Sequence, residues 1–501
     1  MRAVRRVTVD DTGLSRWTEP WDGLVREQFD GDGAFSAVEG PFRSYQRTVE
    51  VASAGDGTHD VTSTVDFGLA IPYFGFLLAL PVRHALRTPG APLPWWGPAD
   101  RLDARAASML GVLCMASLVA GYVGTSLAQT ITYASDDFHL SGDRPQSIAL
   151  AATRISAFIA IGIVAFADRR GRRRLLLLSA VGALLLGATT AFAPTLFWYT
   201  LCQTLTRGCS TAMAVLITVV AAEEMPAGAR AFGVSVLGMS GALGAGICVL
   251  ALPVADTGEG GWRWLFVLPL VALPLLRHVG RRLHESRRFE TAHDIPDAIG
   301  HRDRLRLLGA SVFLLQLFTA PASQLQNEFL NDERNYSALG ITLFTVFTAT
   351  PAGIGIVAGG RLADVHGRRI VGAVGLVGGV GGTVAMFLSH GPSMWLWSLI
   401  ASVVGGATLP ALGVYGPELF PTGVRARANG VLVIAAVLGS ASGLIAAGWL
   451  SDTIGGLGQA LAVLAVGPAL LTLLVLLRYP ETARKELEEI NPEDALGSLA
   501  T

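Results

Sequence analysis

From residue 107 onward the chain alternates long apolar runs with short polar interruptions. Each run is close to the ~20 residues that an α-helix needs to cross the hydrocarbon of a bilayer. Twelve can be marked: residues 107–134, 147–167, 175–192, 197–222, 231–254, 264–276, 307–330, 339–359, 370–388, 394–415, 428–450 and 461–477. The sixth is the shortest, and extending it to residue 280 takes in Arg277 and His278. Ahead of these runs the pattern changes. "FRSYQRTVEVA" and "HDVTSTVDFGL" alternate around "SAGDG" and predict a β-hairpin. "AIPYFGFLLALPV" follows, and its apolar stretch of about 13 residues predicts an interfacial or re-entrant helix, being too short to span. "PGAPLPWWGP" reads as a linker with an interfacial tryptophan pair.

Composition agrees with an integral membrane class. Of 501 residues, 51% are hydrophobic and only 15% charged, against roughly 25% in soluble domains. The net charge of -1 offers none of the basic excess that nucleic-acid binding would want. Cys114, Cys202, Cys209 and Cys248 lie inside apolar runs at spacings that fit no metal pattern and read as small buried hydrophobes. The opening "MRAVRRVTVDD" has no apolar core of a cleaved signal peptide. No phosphate loop, nucleophile elbow or metal cluster occurs, so neither an enzyme nor a cofactor is expected, and without a Walker-type sequence any drive must come from a gradient.

The charges set an orientation. The segments after even-numbered runs hold "DRRGRRR", "PAGARA", "RHVGRRLHESRRFE", "RLADVHGRR" and "PTGVRARA", whereas the stretches "SDDFHLSGDRP", "APTL", "ADTGEGG", "NDERNYS", "SHGPS" and "SDTIGGLG" after odd-numbered runs take positive charge only from Arg144 and Arg334. By the positive-inside rule the even loops and both termini face the cytoplasm of a multi-pass plasma-membrane protein.

The chain also repeats itself. Asp168 of "FADRRGRRRLL" and Asp364 of "LADVHGRRIV" are 196 positions apart. "EEMPAGARAFG" and "ELFPTGVRARANG" pair Glu223 and Arg230 with Glu418 and Arg425 at an offset of 195. Two six-helix halves of equal orientation follow, with a seam between them at mid-membrane. The expected organisation is a cytoplasmic segment with hairpin and short helix (1–100), a six-helix half (105–280), a linker (281–304), a second half (305–478) and a tail (479–501).

The loop "GRLADVHGRR" resembles the signature of the major facilitator superfamily through Gly360, Asp364, Gly367, Arg368 and Arg369. The first copy keeps Asp168, Arg169, Gly171, Arg172 and Arg173, with Val164 where the glycine is expected. "TRGCSTAM" resembles the family's membrane-embedded arginine motif through Arg207, and "PELFPTGVRA" and "PETARKELEEI" are similar to the sugar-porter and organic-ion branches. The resemblance covers roughly residues 105 to 490 and implies an all-α fold of twelve transmembrane helices in parallel repeats. It implies alternating access, a small-molecule solute, a coupling proton and a monomer. It further implies that Asp168 and Asp364 meet the N-termini of helices eleven and five, where unpaired N–H groups favour an anion. The arginines of these loops would hold neighbouring helix ends by ion pairs that break as the halves rock.

Charges inside the bilayer are costly unless they face a cavity or a partner. Arg154 and Arg207 stand about 20 Å and 24 Å above Asp168 and Glu223 at 1.5 Å per residue, in the outer half of the membrane. Each reads either as a cationic site facing the seam or as a structural arginine bonded to a neighbouring helix. The helix-one carboxylate of the family's sugar carriers is replaced by Val123, and the helix-seven glutamine cluster is not reproduced. Gln129 and Thr130, with Gln316 and Gln324, could line a cavity or act as interhelical polar glue. Asp136, Asp137 and Glu328 read as solvated charges at outer ends, with Glu328 the best candidate to titrate. Glu223 and Glu418 read as structural partners of loop arginines. A small-solute transporter, a drug-efflux antiporter lacking the usual helix-five Gly-Pro step, and a membrane sensor acting through residues 1–100 all fit these observations.

Overall fold

A computed structural model describes residues 1–55, 57–89, 93–94, 96–139, 149, 152–258, 260–285, 301–326, 329–336, 338–421 and 424–492. The expected hairpin is present as β4 (Phe42–Gly55) and β5 (Thr58–Leu69), paired antiparallel with Val51 opposite Val61. It belongs to a larger sheet with β1 (Arg2–Asp10), β2 (Arg26–Gly31) and β3 (Ala34–Glu39), in the order β1-β5-β4-β3-β2. The β2–β3 turn places Asp32 and Gly33 at φ 48° and 70°, a left-handed pair that Asp and Gly tolerate best. Helix α1 (Asp11–Thr18) starts where the Asp10 carboxylate accepts from the Gly13 N–H at 2.8 Å. The buried face of the sheet holds a Glu27–Arg47 ion pair at 2.6 Å, with the guanidinium 4.2 Å from the Trp21 ring centre and 3.8 Å from that of Phe35. The Tyr45 hydroxyl donates to Glu27 at 2.6 Å, and burial beside that carboxylate raises its pKa. The short apolar helix is α2 (Gly75–Ala85), whose Leu78 and Val82 pack under the sheet.

Beyond Leu102 the structure is helical. Among the described residues eleven helices are long and apolar enough to cross a membrane, and a shorter apolar helix, Thr153–Ala167, stands where the second is expected. Its predicted start falls on residues outside the described ones. Span six runs Gly261–Arg282, longer than its apolar core because Arg263 pairs with Asp137 at its outer end (2.7 Å) and its last turn is basic. Span eight (Leu343–His366) carries the loop motif at its end.

The way the core divides is informative. At the ends away from the arginine-rich loops, one apolar cluster joins Leu127, Tyr199, Trp262 and Phe266, all of the first half. Another joins Phe318, Phe344, Phe387 and Leu461, all of the second. At the arginine-rich end a cluster of Ala231, Val234, Ala363, Ala411 and Val414 draws on both halves. Among the described residues, the halves therefore share apolar packing at the arginine-rich end and keep separate clusters at the other, so the seam opens away from the arginines.

Candidate functional site: a sealed gate beneath an open seam

The gate is built from pairs of carboxylates and arginines with no exposed side-chain surface. Glu223, at the end of span four (Leu196–Glu224), lies between Arg172 of its own half and Arg425 of the other. Glu418, at the end of span ten (Pro392–Glu418), lies between Arg368 of its own half and Arg230 of the other, the latter at 3.5 Å. The two arrangements are the same motif related by the internal repeat. A charge buried at 0% exposure is tolerated only with such partners, because moving a lone ion out of water costs several kcal/mol.

Asp364 adds a second kind of contact. Its carboxylate accepts from the N–H groups of Phe232 at 3.0 Å and Ala231 at 3.4 Å, at the start of span five (Ala227–Ala251), and pairs with Arg368 at 3.2 Å. An anion is favoured there because the first N–H groups of a helix lack intrahelical partners. The side chains of Asp168 and Arg169 fall outside the described residues. Gly171 and Gly367 take φ of 91° and 99° in the tight turns that follow, a backbone setting that glycine alone adopts freely. Gly360 has a different reason: a Cβ there would stand 2.8 Å from Ser235 Oγ and 3.0 Å from the Ala231 carbonyl.

Two functional-looking residues were not singled out from the sequence. Glu285 accepts from the N–H groups of Arg172 (2.9 Å) and Arg173 (3.1 Å), and Glu481 from those of Arg368 (3.0 Å) and Arg369 (3.2 Å). Each caps the helix that starts after a loop motif. The signal was available, for "HES" and "PET" place them 196 positions apart, the offset of the loop aspartates.

Above the gate the polar groups are sparse. Span two packs closely on span four, where a Cβ on Gly208 would lie 2.6 Å from Ile159 Cγ2. This brings exposed Arg154, in the short helical turn Thr153–Ile155, near enough to half-buried Arg207 to act on it electrostatically. Arg207 donates to the Gly124 carbonyl at 3.4 Å, and the space beside Gly124 is empty to 4 Å. Gln129 is half-buried one turn further along span one (Ala104–Ile131). Thr130 is buried and exchanges a hydrogen bond of 2.8 Å with the Tyr199 hydroxyl, so it joins helices. Gln316, on span seven (Arg302–Gln324), accepts from Thr319 at 2.8 Å, and Gln324 is exposed at the end of that span. Asp137, read from sequence as solvated, is held by Arg263 and by the Trp262 indole N–H at 3.3 Å. Glu328 and the Asp136 side chain lie outside the described residues.

Two pseudo-symmetric helical halves, sealed at one end by buried ion pairs and, among the described residues, packed separately at the other, are the architecture of a two-half membrane transporter. The chain belongs to the Major Facilitator Superfamily, whose family model matches residues 110–326 and again 307–499. Its fold is similar to that of the proton:xylose symporter XylE bound to 6-bromo-6-deoxy-D-glucose, with a TM-score of 0.67, 18% identity, and 78% of this chain and 99% of that one covered. It is also similar to the human organic anion transporter MFSD10 (TM-score 0.61, 16% identity, 73% and 98% covered). A third likeness is to the E. coli fucose:proton symporter FucP (TM-score 0.61, 12% identity, 74% and 98% covered). None of the curated proteins matches the chain.

Proposed function

We propose that the chain is a secondary active transporter that moves a small anionic solute by alternating access, using a proton gradient. The observation that carries this reading is the pair Arg154 and Arg207. Arg154 is exposed on a turn packed against the span that carries Arg207, and the hydrogen bond of Arg207 to a carbonyl is long for a guanidinium with five N–H donors. A carboxylate or other anion placed between them removes their repulsion and supplies acceptors. The charge rule puts the gate on the cytoplasmic side, so this state offers the site to the outside. Proton coupling is supported by the likeness to two proton symporters, XylE and FucP. Gln129 and Gln316 are proposed as neutral hydrogen-bonding positions of the same site, and Gln324 and Glu328 as outer positions, Glu328 the one that titrates.

The test compares small molecules in cells and medium by mass spectrometry, with wild type and Arg207→Ala at equal membrane abundance. An acid enriched inside only with wild type, and restored in part by Arg207→Lys, is the expected result. Depletion inside would make the chain an exporter. No difference across a broad panel would contradict transport and favour a sensor acting through residues 1–100.

A further inference from the structure

Between the N-terminal sheet module and the bundle lies a cavity of about 310 Å³ that the transport reading does not use. Leu110 and Cys114 of span one and Met239 of span five form one wall, Val357 of span eight another, and Leu78 and Val82 of α2 the cover. Apart from the Trp96 indole and the weakly polar Cys114 thiol, Ser240 and Arg101 are the side chains along it that carry hydrogen-bonding groups. Arg101 is already engaged by Asp22 at 2.5 Å and by the Gly23 carbonyl at 2.8 Å. Water has little to bind inside, so the cavity suits hydrocarbon.

Its position says which hydrocarbon. Leu110 lies about 9 Å along span one from its start at the arginine-rich end, at 1.5 Å per residue, so the cavity sits at acyl-chain depth in that leaflet. Leu77 and Leu243, both lining it, are 57% and 55% exposed, which leaves an apolar mouth on the outer surface of the bundle. Phe76 and Leu80 extend the apolar band along α2 at 70% and 74% exposure. That helix ends in exposed Arg83 and His84, and no acidic residue occurs between Asp66 and Asp100. An apolar mouth with a cationic rim complements an anionic lipid at the interface.

We propose that this cavity holds one acyl chain of an anionic phospholipid from the arginine-rich leaflet, with its headgroup phosphate against Arg83 and His84. The chain would touch Val357 of one half and Phe232 of the other, the residue whose N–H binds Asp364, and would favour the sealed gate. The loop before span one follows the same geometry: Arg361 of span eight donates to the carbonyls of Gly97 at 2.8 Å and Leu93 at 3.2 Å, while Asp100 accepts from the Gly228 N–H of the first half at 2.7 Å.

The test uses the full chain in nanodiscs with phosphatidylglycerol carrying a photoreactive group in mid-chain, and the same chain on phosphatidylcholine or as free fatty acid. Label from phosphatidylglycerol should concentrate on peptides holding Leu110 and Met239, about tenfold above phosphatidylcholine. Met239→Trp should remove that label and no other, and Arg83→Gln with His84→Gln should abolish the preference between headgroups. Label spread evenly over the apolar surface of wild type would overturn the proposal, whether or not Met239→Trp folds. Equal labelling by the two phospholipids would overturn the anionic assignment. Labelling by free fatty acid alone would overturn the phospholipid.

Discussion

Spans five and eight meet through Gly360, pressed against Ser235 and the Ala231 carbonyl, whereas spans two and eleven meet through Val164 against Gly430. By the repeat, Val164 corresponds to Gly360 and Ser235 to Gly430. The valine that departs from the loop signature is thus answered by a glycine across the seam, where a Cβ on Gly430 would still be 3.6 Å from Val164 Cγ1. What the two seams share is room for close approach, with one small residue in each, supplied from opposite sides. The tighter seam has less slack, because a Cβ on Gly360 would meet its neighbours at 2.8–3.0 Å. A sequence motif read one half at a time registers Val164 as a defect; the pair of seams shows it as compensation.

The largest effect should come from removing the carboxylate that each half gives to the gate. Glu223→Gln and Glu418→Gln should each cost about 3–5 kcal/mol, since each leaves buried arginines from two halves with less compensation. Thermal unfolding in one detergent checks this, and a cost below about 1 kcal/mol for either would show that its ion pairs are incidental. A change of packing should cost less. Gly360→Val should cost about 1–3 kcal/mol by overfilling the five–eight seam. Adding Ser235→Gly should recover much of that, because it copies the arrangement of the other seam. Failure of the second change to rescue would refute the compensation argument.

Asp364→Asn keeps the shape but removes the charge at the start of span five. A loss of about 1–2 kcal/mol is expected, together with faster alkylation of a cysteine introduced at Ala231 as the seam opens. The smallest effect lies outside the membrane. Hydrogen bonds from the Thr12 hydroxyl and the Gly13 N–H hold Asp10 below its ordinary pKa of 3.8. A lowered native pKa stabilises above the unfolded value and is lost as pH falls through the native one. Amide exchange in α1 should therefore speed up below pH 3.8, and Asp10→Asn should remove that acid step while leaving the gate untouched.

Much of this architecture was legible because a bilayer constrains sequence severely. Span lengths follow from hydrocarbon thickness and orientation from arginine placement, so the helical halves could be drawn directly. Glu223, Glu418, Arg230 and Arg425 stood out by their fixed offset, and the structure gives each the partners that burial requires. Glu285 and Glu481 were passed over because they sit in polar segments read as linker and tail. Of the three other strands, β1 and β2 were missed because they lie at the sheet's edges, where half-exposed strands carry a weak pattern, and β3 because it is only six residues long. The engagement of Arg361 by a loop more than 260 residues earlier depends on folding alone. The neutral side chains above the gate gave no distinguishing signal either, and Thr130 proves to bond Tyr199 while Gln129 stands half-buried beside it.

Paired buried charges hold the two halves together at the arginine-rich end. Spin labels at the exposed positions Arg174 and His366, one per half, read that separation directly. A single short distance is expected in the wild type, and a broader, longer distribution when Glu223→Gln and Glu418→Gln are combined. A wild-type distribution already long, or one that the two substitutions leave unchanged, would contradict it.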